Sequence, residues 1–237
     1  MSIFNTHKLN IGTIIKQLLP AQPCVLCGSM SRNGLWCDAC DAALPYHNAP
    51  HCPVCALPTA QGEVCGRCQK KPPAFTGTIT VYSYQFPVDK LIQAMKYREQ
   101  LALSRIFAEK LAQRTDPGRL PDYLIPMPLH PAKLQSRGYN QAQLIAAPLA
   151  KLLNIPLLAH ACRRLRDTPS QTSLPWQARG RNVRGAFACD MNLSGKHIAL
   201  VDDVMTTGAS MNELASAVKK CGAGEISAWV VARTVRD

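Results

Sequence analysis

HIALVDDVMTTGAS, residues 197–210, places two adjacent acids between an apolar run and a loop rich in hydroxyl groups. The apolar run 197–201 predicts a buried strand, and residues 211–220 predict a helix that follows the loop. Backbone N–H groups of such a loop, together with the helix N-terminus, form a cradle for anions. Gly208 lets a ligand approach the backbone closely. The predicted phosphate-binding residues are Thr206, Thr207, Gly208, Ala209 and Ser210.

The acids Asp202 and Asp203 stand at the predicted carboxyl end of that strand. Adjacent carboxylates there can accept hydrogen bonds from vicinal ribose hydroxyls and hold Mg²⁺ through its outer shell. A phosphorylated ribose would satisfy both the acids and the loop. The alternative is structural, with the acids in a turn and the hydroxyl residues capping the helix.

Alternating strands and helices surround this segment. The hydrophobic pattern predicts strands over residues 78–86, 123–127 and 227–232, and helices over residues 91–111 and 140–153. This order predicts an α/β domain with a parallel sheet and flanking helices.

Eight of the eleven cysteines fall between Cys24 and Cys68, in two copies of a CxxC pair repeated after nine residues. Two such pairs supply four thiolates for one tetrahedral zinc ion. The repeat predicts two structural zinc sites in consecutive ribbons. The first site comprises Cys24, Cys27, Cys37 and Cys40, and the second comprises Cys52, Cys55, Cys65 and Cys68.

Two alternatives remain for these ligands. The first and third CxxC pairs can interleave, as in cross-braced modules, although the equal spacing favours consecutive ribbons. His47 and His51 could also be ligands, but we interpret them as exposed linker histidines. Because four thiolates leave zinc no open position, we expect no hydrolytic zinc chemistry.

A charged, proline-stiffened linker at residues 69–73 predicts a domain boundary near Pro73. We therefore expect an N-terminal segment with the double zinc ribbon at residues 1–73. An α/β domain follows at residues 74–237.

Charge and cysteine content indicate which partners and which cellular compartment to expect. With 27 Lys and Arg against 15 Asp and Glu, the net charge of +12 favours polyanionic partners such as nucleic acid or phosphorylated ligands. No apolar run is long enough to predict a membrane span. Many cysteines in metal-binding patterns indicate a reducing compartment, and we expect the cytoplasm.

Residues 202–210 resemble the phosphoribosyl pyrophosphate (PRPP) signature of type I phosphoribosyltransferases. The resemblance implies that the acidic pair, Asp202 and Asp203, is catalytic and holds the ribose 2′ and 3′ hydroxyls. It further implies that the loop, including Val204 and Met205, binds the 5′-phosphate of PRPP in the presence of Mg²⁺.

Further motifs resemble the ComF/GntX family of competence and DNA-utilisation proteins, which joins zinc ribbons to a phosphoribosyltransferase-like domain. The motifs are LIQAMKYR at 91–98, IPMPL at 125–129, RGYNQA at 137–142, Gln171, Leu174, Arg179 and NVRGAF at 182–187. The resemblance covers the chain from about Pro20 onward. It implies a type I phosphoribosyltransferase-like parallel sheet with flanking helices, preceded by a small double zinc-ribbon module.

Two further elements are predicted for the ligand. The loop after the second strand would face the pyrophosphate with Met127, Pro128, Leu129 and His130, together with Arg137. An arginine-rich stretch resembles the mobile loop that closes over PRPP, and it would also suit a nucleic-acid backbone. Its arginines are Arg163, Arg164, Arg166, Arg179, Arg181 and Arg184.

Three functions follow as hypotheses. The first is a protein that binds PRPP and handles single-stranded DNA in DNA uptake, as in natural competence, or in the use of DNA as a nutrient. The second is an active phosphoribosyltransferase that transfers ribose 5-phosphate from PRPP to a nitrogen acceptor. The third is a PRPP-sensing adaptor that docks on DNA-uptake or helicase proteins.

Overall fold

The computed structural model describes residues 21–32, 34–167 and 183–235. Two compact units divide the chain, residues 1–44 and residues 45–237.

In the first unit, a short antiparallel pair joins strand β1 (Gln22–Pro23) to strand β2 (Met30–Ser31). The turn between them closes with Gly28 N–H donating to the carbonyl oxygen of Cys24 at 2.8 Å. Helix α1 (Asp38–Ala42) follows. The first CxxC pair lies in the turn of this hairpin, and the second lies at the start of helix α1.

The second unit contains the remaining elements. In chain order they are α2 (Gly66–Lys70), β3 (Gly77–Ser83), α3 (Val88–Tyr97), α4 (Ala102–Ala112), a 3₁₀ turn (Pro117–Arg119), β4 (Tyr123–Pro126), α5 (Pro131–Arg137), α6 (Gln141–Leu153), β5 (Cys162–Arg164), β6 (Phe187–Cys189), β7 (His197–Met205), α7 (Ala209–Lys220) and β8 (Glu225–Arg233).

Strands β3, β8, β7 and β4 form one sheet in that order, and every neighbouring pair is parallel. Helix α4 packs against α6, while α7 packs against β7 and β8. The two central strands are almost wholly buried, as expected for a parallel sheet covered by helices. The predicted α/β domain with a parallel sheet and flanking helices is confirmed.

Strand β7 is longer than the sequence predicts. The acids Asp202 and Asp203 lie inside its last four residues instead of after its end. Pairing with β8 continues as far as Met205 opposite Arg233, and this pairing keeps the acid segment extended. The carboxyl groups are therefore held by the sheet and not by a loop.

The third CxxC turn, residues 52–55 of the second ribbon, is hydrogen-bonded to the edge of the sheet. Thr78 on β3 donates its N–H to the carbonyl oxygen of Pro53 at 3.0 Å and its hydroxyl to that of Val54 at 2.6 Å. The second ribbon consequently belongs to the same compact unit as the sheet. The boundary that the sequence places near Pro73 stays a prediction about the organisation of the chain.

None of the helices among the described residues has both the length and the apolar character that crossing a bilayer requires.

Candidate ligand cavity and zinc centres

A cavity of about 230 Å³ opens at the carboxyl ends of β4 and β7. Both acids of the pair, Asp202 and Asp203, line it. Its other charged residues are the cations Lys96, Lys133, Arg137 and Arg164. Ligands of open α/β sheets bind at this end of the strands.

The acid Asp203 is 3% exposed and forms an ion pair with Lys96 of helix α3, with Nζ and Oδ2 at 2.5 Å. A second oxygen of Asp203 accepts the N–H of Val204 at 2.9 Å. Asp202 is less buried, and its Oδ1 accepts the N–H of Asp203 at 2.9 Å. The two acids therefore differ, because Asp203 is neutralised by a lysine while part of Asp202 faces the cavity.

Burial raises the pKa of Asp202 well above its usual value, and the neighbouring Asp203 carboxylate adds to this rise. Lys96 acts in the opposite direction on Asp202, but its attraction is outweighed. For Lys96 itself, burial disfavours the ammonium form, yet the attraction of Asp203 prevails and raises the pKa of the lysine. Lys96 is therefore held as a cation beside Asp203.

Residues 204–210, which we call the anion loop, comprise the last two residues of β7, the turn 206–208 and the first two residues of α7. Gly208 stands at the N-cap of α7 with φ of 80°, a left-handed conformation that favours glycine. The hydroxyl of Thr207 accepts the N–H of Ala209 at 3.2 Å. The predicted residues that line the cavity are Val204, Met205, Thr206, Gly208 and Ser210. Thr207 and Ala209 instead line a second cavity, as Gly208 also does.

The segment after β4 forms another part of the cavity wall. Met127, Pro128 and Leu129 line the cavity, as predicted for this segment. Asn140 donates its side-chain N–H to the carbonyl oxygen of Met127 at 3.0 Å and so fixes the segment. His130 has a different position, because its Nδ1 accepts the N–H of Ala132 as the N-cap of α5.

Arg137 is held in place on this wall. Its Nη1 donates to Oε1 of Gln141 at 2.6 Å, and its guanidinium lies 5.3 Å from the ring centre of Tyr97. These contacts orient a cation at the mouth of the cavity, beside the segment predicted to face pyrophosphate.

The arginine-rich stretch is dispersed around the site. Arg164 lines the first cavity, and Arg184 lines the second. Burial lowers the pKa of Arg164, although the carboxylates of Asp202 and Asp167 oppose this effect. Arg163 and Arg166 line neither cavity, and Arg163 is bonded to Asp190. Arg179 and Arg181 lie outside the described residues, as do Gln171, Leu174 and Asn182 of the family motifs.

Sequence reasoning assigned no role to Lys96, Lys133 or Tyr84, which also line the cavity. Lys96 belongs to the LIQAMKYR motif, so its place in a family motif was the available signal. Its pairing with Asp203 could not be seen, because 107 positions separate the two residues and only the fold brings them together.

The eight predicted zinc ligands form two groups, one in each consecutive ribbon. In each group the four sulfur atoms lie within 4.8 Å of one another. This arrangement confirms consecutive pairing over the interleaved alternative. Four thiolates at such distances fit a tetrahedral zinc ion that has a structural role.

Backbone donors favour the thiolate form of the first cysteine in each group, Cys24 and Cys52. The Sγ atom of Cys24 accepts N–H bonds from Leu26 at 3.5 Å and Cys37 at 3.4 Å. Burial raises the pKa of Cys24, but these donors outweigh burial and lower the pKa to about 6. The same balance lowers the pKa of Cys52 to about 7. Thiolate is the form that binds zinc.

The interpretation of His47 as an exposed linker residue is wrong. His47 is 4% exposed, and its Nδ1 lies 3.1 Å from the hydroxyl of Ser83. Its backbone N–H donates to the carbonyl oxygen of Val81, so the segment joins β3. Neither His47 nor His51 belongs to a four-cysteine group.

Comparison with known proteins agrees with this geometry. A family model described as "Double zinc ribbon domain" matches residues 14–69. The DNA utilization protein YhgH of Escherichia coli K12 is 34% identical over 90% of this chain and 97% of its own length. Competence protein F of Haemophilus influenzae is 33% identical over 86% and 92%. Competence protein ComFC of Bacillus subtilis is 24% identical over 89% and 95%.

Solved structures give weaker likenesses. A purine phosphoribosyltransferase from Pyrococcus horikoshii is 21% identical, covers 66% of this chain and 87% of its own, and has a TM-score of 0.30. A glutamine PRPP amidotransferase from B. subtilis is 18% identical, covers 54% of this chain and 25% of its own, and has a TM-score of 0.37. Both TM-scores are below 0.5, so neither structure supports a conclusion about this chain.

The parallel sheet, with an acid pair near the end of β7 followed by the anion loop, defines an α/β domain with a candidate anion site, which occurs together with a double zinc ribbon. The chain belongs to the ComF/GntX family of competence and DNA-utilisation proteins.

Proposed function

We propose that this protein binds PRPP, or a related ribose phosphate with Mg²⁺, and handles single-stranded DNA during DNA uptake or the use of DNA as a nutrient. The observation that supports binding of PRPP is the cavity at the end of β7, where the acid pair lies next to the anion loop. The names of the family relatives, which concern DNA utilization and competence, motivate the DNA half. A cytoplasmic location is part of the same proposal.

The chemistry of the cavity suits a charged sugar. Asp202 faces the cavity and would accept a ribose hydroxyl or hold Mg²⁺ through its outer shell. The anion loop would take the 5′-phosphate with its backbone N–H groups. Arg137, Lys133 and Arg164 would neutralise the pyrophosphate.

Calorimetric titration of the zinc-loaded protein with PRPP and Mg²⁺ tests the ligand half. We expect saturable binding that Asp202→Asn weakens by at least tenfold. A matched control is Glu109→Gln, which removes an acid on α4 outside the cavity. No binding by the wild-type protein, or equal binding by Asp202→Asn, would refute the site.

Monitoring pyrophosphate in the same titration, with bases and amines present, separates binding from transfer. Pyrophosphate release that depends on an acceptor would make the protein an active phosphoribosyltransferase. Binding without release, altered by single-stranded DNA, supports the proposed function. A ligand-dependent change in affinity for a DNA-uptake or helicase protein would favour the adaptor hypothesis instead.

For DNA, a second cavity of about 780 Å³ offers a cationic surface beside the anion loop. Arg67 of the second ribbon and Lys71 of the linker line it together with Arg184 and one acid, Glu213. Phosphates of a single strand would contact these cations, with the neighbouring Pro72 and Pro73 offering apolar contact.

Charge-removal variants test this surface. The double variant Arg67→Ala/Lys71→Ala should weaken binding to an oligonucleotide and make its salt dependence shallower by about 0.7 for each lost contact. Lys90→Ala/Arg105→Ala removes two exposed cations that line neither cavity, and it should change binding little. Equal losses in the two variants would place the DNA elsewhere.

A further inference from the structure

Arg233, the last residue of β8, is completely buried. Its Nε donates to the carbonyl oxygen of Cys55 at 2.7 Å. Its Nη1 donates to the carbonyl oxygen of Met205 at 2.8 Å and also to that of Thr206. A single guanidinium is therefore bonded to the backbone of a predicted zinc ligand and to the backbone of the anion loop.

These bonds fix the direction of peptide groups in the loop. In a planar trans peptide the N–H points opposite to the carbonyl of the preceding residue. Because the carbonyls of Met205 and Thr206 are turned toward Arg233, the N–H groups of Thr206 and Thr207 point away from it. Backbone N–H groups are the donors that an anion loop uses, so Arg233 determines how two of them are presented.

The other end of the guanidinium depends on the second ribbon. Cys55 is 2% exposed, and its sulfur belongs to the second four-cysteine group. Zinc at that group would fix the CxxC turn and with it the Cys55 carbonyl. A zinc ion with four thiolates carries a net charge of minus two, which favours a buried guanidinium nearby.

We propose that Arg233 is a positioning residue that makes the conformation of the anion loop depend on zinc at the second ribbon. This inference rests on the proposed function, in which the anion loop binds the phosphate of PRPP. Zinc in that ribbon thereby supports ligand binding from outside the cavity, since Cys52 and Cys65 do not line the cavity.

The test is a double-mutant cycle on PRPP affinity in the full chain with Mg²⁺. Arg233→Lys keeps the charge but replaces the forked guanidinium by one nitrogen, and Cys65→Ser removes a ligand of the second zinc. Each should weaken PRPP binding by roughly tenfold, the value of a hydrogen bond to a charged group. The double variant should lose little more than either single variant, because both break the same connection.

Cys40→Ser is the matched control, since it removes one ligand from the other four-cysteine group. It should lower the zinc content as Cys65→Ser does and leave PRPP affinity within about twofold. Wild-type affinity in Arg233→Lys would overturn the proposal. So would losses that multiply in the double variant, or an equal loss in Cys40→Ser.

Hydrogen exchange in the ligand-free protein tests the coupling without PRPP, and therefore independently of the proposed function. The N–H of Thr234 donates to the carbonyl oxygen of Met205 at 3.1 Å, so its protection reports on the start of the loop. Arg233→Lys and Cys65→Ser should both speed this exchange, and Cys40→Ser should not.

If the wild type fails to bind PRPP, the proposed function fails, but this comparison of exchange rates still tests whether the second zinc and the anion loop are coupled. If Arg233→Lys does not fold, the comparison of Cys65→Ser with Cys40→Ser tests the coupling. Unchanged protection of the Thr234 amide in Cys65→Ser would then overturn the proposal.

Discussion

Lys96 on α3 and Asp203 on β7 form a nearly buried ion pair, with Nζ and Oδ2 separated by 2.5 Å. The side chain of Lys96 is 20% exposed and that of Asp203 is 4% exposed. Removing Lys96 leaves the 4% exposed carboxyl group of Asp203 without its ion-pair partner, which is costly. The same ion pair therefore contributes to the stability of the fold and lines the cavity at the carboxyl ends of the strands.

Lys96→Met should destabilise the protein by about 3–5 kcal/mol, because Asp203 is then buried without a counter-charge. The double variant Lys96→Met/Asp203→Asn should recover much of this loss, since neither charge remains. Urea unfolding of the zinc-loaded protein measures both free energies. A loss in the double variant equal to the sum of the single losses would mean that the two charges do not interact.

Binding of PRPP should weaken as the pH falls through the raised pKa of Asp202. A carboxyl group accepts a ribose hydroxyl or holds hydrated Mg²⁺ best when ionised, and burial and Asp203 favour its protonated form. Affinity is therefore full above that pKa and is lost below it. Calorimetry over a pH series in the wild type and in Asp202→Asn measures the effect, and an identical pH dependence in the two proteins would contradict it.

Removal of zinc ligands should affect the sheet differently in the two ribbons. Cys52→Ser should lower the zinc content and speed hydrogen exchange of the Thr78 amide, because that amide is bonded to Pro53 in the CxxC turn. Cys27→Ser should also lower the zinc content but leave the Thr78 amide protected, since residues 1–44 form their own compact unit. Metal analysis and exchange measured by mass spectrometry report both quantities. Equally fast exchange of the Thr78 amide in the two variants would contradict this difference between the ribbons.

Acid should destabilise the protein through His47. Burial, followed by the charge of neighbouring His51, lowers the pKa of His47 to about 4, against 6.5 for the free side chain. Between pH 6.5 and 4 the unfolded chain binds the extra proton, so stability is lost as the pH falls, by about 3 kcal/mol in total. His47→Asn should lack this component, while acid release of zinc is common to both proteins. Urea unfolding at pH 7 and pH 4 measures the difference, which should be absent if His47 titrates normally.

Local patterns predicted the zinc ribbons and the sheet. The CxxC pairs and their equal spacing predicted which cysteines group together, because the residues that bind one zinc lie within 17 positions in each ribbon. The alternation of apolar strands with helices predicted a parallel sheet in the same way. The segment HIALVDDVMTTGAS was sufficient to predict a strand, an acid pair and an anion loop, since all three are consecutive in the chain.

Tertiary structure decided the properties that depend on distant residues. Pairing with β8 extended β7 through its acids, and helix α3 supplied Lys96 to neutralise Asp203 but not Asp202. His47 is buried because its backbone joins β3, and Arg233 reaches the second ribbon and the anion loop only because β8 ends between them. A sequence determines local hydrogen bonding and metal-ligand spacing directly, whereas burial and charge pairing across the fold arise only when the chain has packed.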